Sequence, residues 1–158
     1  MTSQNMDHEL SDAEKADSLP DLLVNSTFAK SLGLSLDEQR FVPATDLVGP
    51  AWEFTFKGQN ERRLIFDYSP VAGDKDYIVI RIADILQRQS FFLKYWLKVH
   101  SIHHRPAPFK LSSYPGSFHE QSTAFVQYLD QLLCRPDMMA ILMGNEWEDI
   151  PFDWGDLK

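Results

Sequence analysis

Between Ala51 and Ala83 three strand-like runs are joined by links too short for a parallel crossover. No other feature constrains the fold as much. In Ala51–Gly58, Trp52, Phe54 and Phe56 alternate with Glu53, Thr55 and Lys57, the period of two of a half-buried strand. Gly58-Gln59-Asn60 supplies a turn. Arg62–Tyr68 places Leu64, Phe66 and Tyr68 on one face. Ser69–Lys75 reads as a loop, and Asp76–Ala83 as the third strand. That strand is apolar on both sides, with Ile78, Ile80 and Ile82 facing one way and Tyr77 and Val79 the other. A strand covered on both faces calls for helices over the sheet, or for a partner.

Helices flank these strands. Leu22, Leu23, Phe28 and Leu32 predict a short amphipathic helix after Pro20, stopped by Gly33. Residues 34–50 read as a connector with a helical turn at Ser35–Arg40. Ser90–His100 is apolar nearly all round, as in a central helix. Ser117-Phe-His-Glu120 matches the S-x-x-E capping box and opens a helix to about Cys134. Pro136 suits the first turn of one more helix, with Gly144 past its end. The expected fold class is α+β: an antiparallel β-meander of three or four strands packed against several helices.

The chain has 158 residues, which favours a single domain. We expect a frayed, acidic N-terminus at 1–17, one α+β domain at 18–145 and an acidic-aromatic segment at 146–158. Cys134 is the only cysteine, so an internal disulfide and a Cys-based zinc finger are excluded. The polar, acidic N-terminus lacks the pattern of a signal peptide, and no apolar run approaches the ~20 residues of a membrane span. A cytoplasmic protein without a membrane partner is therefore expected.

The net charge is −8 and unevenly spread. Residues 1–21 set Asp7, Glu9, Asp12, Glu14, Asp17 and Asp21 against Lys15 alone. Residues 144–158 set Glu146, Glu148, Asp149, Asp153 and Asp156 against Lys158. The body between them is nearly neutral, and its stretch 85–119 has no carboxylate at all. An acidic end and a basic segment in one chain can face each other. Net acidity also argues against nucleic acid as a partner, because phosphate binding needs a basic footprint.

Site chemistry is sparse. His100, His103 and His104 have a spacing that can share a divalent metal, but no thiol or clear carboxylate completes a set. A cluster at a helix C-terminus, where cations favour the dipole, is the commoner arrangement. Asp67 is a carboxylate inside an apolar strand and a conceivable general base. Glu53 and Lys57 are not obviously beside it, and an outward residue paired with Arg62, Arg63 or Arg81 is the simpler reading. Met138, Met139 and Met143 could line an adaptable groove, though core packing is commoner. No nucleophile elbow, phosphate loop or dinucleotide fingerprint occurs. No enzyme activity, metal or cofactor is therefore expected.

The segment Glu146–Trp154 interleaves acids with aromatic residues. Rings can fill pockets on a basic protein while the carboxylates steer encounter. The expected partner-binding residues are Glu146, Trp147, Glu148, Asp149, Phe152, Asp153 and Trp154. The competing arrangement docks the rings on the chain's own body. The expected function is a non-enzymatic acidic binding protein that neutralises a basic partner such as a toxin or nuclease, as toxin-immunity proteins and antitoxins do. The alternatives are an adaptor module with a C-terminal docking peptide and, less favoured, a small metal-dependent hydrolase.

Overall fold

A computed structural model describes residues 11–45, 50–69, 77–100, 102 and 109–150. Among the described residues, five strands form one antiparallel sheet in the order β1-β2-β3-β4-β5: Ser35–Val42, Ala51–Lys57, Arg62–Ser69, Tyr77–Asp84 and Gln89–Phe92. The described helices that accompany it are α1 (Asp12–Val24), α2 (Thr27–Leu32), α3 (Leu93–Val99), α4 (Phe118–Leu133) and α5 (Pro136–Leu142). The α+β class and the antiparallel meander are as expected, but the sheet has five strands, not three or four.

The three strands of the sequence reading pair in register: Phe54 opposite Phe66, and Phe66 opposite Ile80. Their common face carries Phe54, Phe56, Leu64, Phe66, Tyr68, Ile78, Ile80 and Ile82, all buried. Phe28, Trp96, Phe125 and Leu129 from the helices belong to the same core. The opposite, outer face carries Glu53, Thr55, Asp67, Val79 and Arg81, none of them fully buried.

Both additional strands lack the alternation that marks the other three. β1 occupies 35–42, where a connector with a helical turn was expected. Leu36 and Phe41 are its only large apolar side chains besides Val42, so its strand state comes from pairing with β2. β5 takes the first residues of the expected helix at Ser90–His100. Phe91 lies opposite Ile82 and is buried against the sheet, so the helix starts at Leu93.

The N-terminal expectation is corrected from Ser11 onward. Helix α1 starts at Asp12, not after Pro20, and Pro20 lies inside it. Ser11 Oγ accepts from Glu14 N–H at 3.1 Å, while Glu14 accepts from Ser11 N–H at 2.9 Å. Ala16, Leu19 and Leu23 form the buried stripe that holds α1 on the core. Residues 1–10 lie outside the described residues. Gly33 ends α2 in the left-handed conformation, as expected of a stop signal (φ 65°). The Ser117–Glu120 capping box and the helix from Pro136 are also as expected. Asp130 of α4 accepts from Phe28 N–H at 2.8 Å and so joins α4 to the start of α2.

Candidate interaction surface

The chain leaves α5 through Gly144, which turns with φ 86°. A side chain there would overlap the Cβ of Asn60, and Asn60 Nδ2 donates to Met143 O at 2.9 Å. The β2–β3 turn is thereby seated on the end of α5.

Arg62 then fastens the segment that follows. Its Nε donates to Ile141 O at 2.9 Å and its Nη2 to Glu146 O at 2.8 Å. Its Nη1 lies 2.9 Å from Asp84 Oδ2, with both side chains buried. A planar guanidinium presents donors in a fixed fork, so one buried residue can hold two carbonyls and a carboxylate at once. Its flat face lies 5.1 Å from the Trp147 ring centroid. Trp147 in turn meets Phe91 with ring centroids 5.2 Å apart.

Glu148 faces inward as well. It accepts from Trp96 Nε1 at 3.1 Å and from His100 Nε2 at 2.8 Å. His100 caps the C-terminus of α3 and lies against Trp96, with ring centroids 4.3 Å apart. Trp147 and Glu148 are therefore engaged by their own domain. The acidic end meets the carboxylate-free 85–119 stretch through Glu148 and His100.

Glu146 and Asp149 stay exposed on this fastened backbone. Asp149, Trp147 and Ile150 form one wall of a shallow surface cleft of about 480 Å³, and Arg88, Gln89 and Ser90 form the other. The β4–β5 turn leading into that second wall exposes Ile85 (48%) and Leu86 (70%). Arg88 in the turn has φ 54°, and its N–H donates to Ile85 O at 3.3 Å. The apolar turn was absent from the sequence reading. Its signal was the pair Ile85-Leu86 ahead of a polar stretch, at the end of a strand. Phe152, Asp153 and Trp154 lie outside the described residues, as do His103 and His104.

The outer face of the sheet brings Asp67 directly opposite Glu53 across β2 and β3, which corrects the expectation that the two are not neighbours. Burial pushes the Asp67 carboxyl up to about 6, and its hydrogen bond with Glu53 and that carboxylate's charge act the same way, against the lowering by Arg81 and Arg40. Arg40 Nη2 also donates to Glu53 at 3.0 Å. Among the described residues, no three His, Cys, Asp or Glu side chains are grouped to hold a metal. Met138 is buried in the core, with Met139 and Met143 packed against it.

No family model, curated protein or solved structure matches the chain. Among the described residues no helix is long and apolar enough to cross a membrane.

Proposed function

We propose that this chain is a non-enzymatic binding protein that neutralises a basic partner protein, in the manner of a toxin-immunity protein or antitoxin. The observation that carries the reading is the exposure of Glu146 and Asp149 on a backbone clamped by Arg62, beside the bare apolar turn Ile85-Leu86. Exposed carboxylates steer a basic surface and an exposed apolar side chain can then anchor it. Preorganisation removes part of the ordering cost of association. In this reading Leu86 is the anchor and Trp147 is the buttress that holds the carboxylates in place. In the sequence, Phe152, Asp153 and Trp154 continue the acidic-aromatic pattern of this segment. A cytoplasmic location fits an inhibitor that meets its target before release.

The test is to purify the tagged full chain from its native cells, identify any stoichiometric companion, and measure the reconstituted pair. A basic companion whose toxic or nuclease activity is suppressed by the chain supports the proposal. Asp149→Lys should slow association and flatten its salt dependence. Leu86→Asp should raise the off-rate while leaving melting unchanged. A companion that is acidic, or a basic one indifferent to both substitutions, overturns the proposal.

A further inference from the structure

The two edges of the sheet are finished differently. β5 is four residues long, and Trp147 and Ile150 lie across the cleft from it. The half of β4 that β5 leaves uncovered is met by a Tyr77–Lys110 bridge and by Ile78 N–H donating to Phe109 O at 2.8 Å. β1, at the other edge, has eight residues, six of them exposed. Among the described residues no strand pairs with its outer side.

An unpaired edge of this length is a template for another strand. Natural edges are commonly protected by proline, a bulge or charges that repel an incoming strand. β1 has no proline, and its bulge is confined to Leu36–Glu38. From Glu38 to Val42 it runs in regular register with β2. Its charges form a self-complementary pattern. Glu38 lies opposite Thr55 and Arg40 opposite Glu53, so both stand on the outer face, with Gln39 between them on the other. When two such strands meet antiparallel with Gln39 on the twofold axis, Glu38 of each copy falls opposite Arg40 of the other. Both pairs lie on the same face, where opposite charges across strands are favourable. Phe41 is 51% exposed and packs tilted against Trp52, with ring centroids 4.9 Å apart. It adds apolar surface at each end of the seam.

We propose that β1 pairs with β1 of a second copy of this chain, antiparallel about Gln39, to join the two sheets into one. A twofold interface of this kind is closed, so it stops at a dimer.

Sedimentation velocity on the full chain from micromolar to near-millimolar concentration tests this, with the mass expected to double as concentration rises. Glu38→Arg and Arg40→Glu each set like charges opposite one another twice, and each should weaken the dimer about tenfold or more. An equimolar mixture of the two variants restores opposite charges at both pairs and should recover the dimer. Independently of charge, Gln39→Cys in a Cys134→Ser background should cross-link to itself under mild oxidation, because the two thiols face each other on the axis. A wild-type chain that stays monomeric overturns the proposal. So does a mixture of folded variants that fails to associate, or a folded Gln39→Cys chain that does not cross-link.

Discussion

Arg62 and Asp84 face each other across β3 and β4, and their ion pair at 2.9 Å is also the anchor of the segment after α5. Removing the guanidinium leaves Asp84 buried without its cation and frees the carbonyls of Ile141 and Glu146. Arg62→Ala should cost on the order of 3–5 kcal/mol, the usual penalty for breaking one side of a buried pair. Urea unfolding measures it. A loss under about 1 kcal/mol would show that the clamp contributes little.

The pair Glu53 and Asp67 gives stability a defined pH dependence. The folded-state pKa of Asp67 is raised from 3.8 to about 6, so the native state binds its proton more tightly than the unfolded chain does. That contribution is complete below the unfolded pKa and is lost as pH rises through the folded one. Stability from this group should therefore fall between about pH 4 and pH 6. Asp67→Asn should be more stable than wild type at pH 7.5 and lose that advantage near pH 4. Denaturation at a series of pH values decides it, and a variant with the same pH slope as wild type would refute the assignment.

The two capping boxes offer a paired comparison. Ser11→Ala and Ser117→Ala should each cost about 1 kcal/mol, since each hydroxyl satisfies an otherwise unpaired helix N–H. The Ser11 effect matters most for interpretation. A measurable loss shows that α1 begins where the capping box places it, and no loss returns the start of the helix to a frayed end. Thermal melting of both variants provides the check.

Gly144→Ala combines a strained backbone with an overlap against Asn60. It should cost about 2 kcal/mol or more. Adding Asn60→Gly removes the overlap, and Asn60 already sits at positive φ, where glycine is at ease. The double variant should recover part of the loss in chemical denaturation. An equal or larger loss would place the strain elsewhere.

The sequence was most legible where local pattern and tertiary role agree. Trp52–Phe56, Leu64–Tyr68 and Ile78–Ile82 alternate because one face is core, and Ser117–Glu120 spells its cap directly. β1 was opaque because an edge strand has little to bury, so its alternation is weak. The start of α1 is hidden because the run of acids masks Ala16 and Leu19, although Ser11-Asp-Ala-Glu14 spells the same capping pattern as at 117. At the candidate site, the acids were visible, but their division was not. Which carboxylates turn inward depends on Trp96, His100 and Arg62, residues far away in sequence. The Asp67–Glu53 contact was hidden for a related reason, since cross-strand register follows from the turn and not from spacing along the chain.

Arg62 grips its neighbours by main-chain oxygens, Ile141 O and Glu146 O, and every amino acid has such an atom. The hold on this stretch therefore does not depend on which side chain stands at 146. Substitution there can change the exposed side chain while the anchorage persists, so the position is free to diversify without endangering the fold. Under the proposed function, that freedom would let an inhibitor follow changes in its target over an unchanged frame.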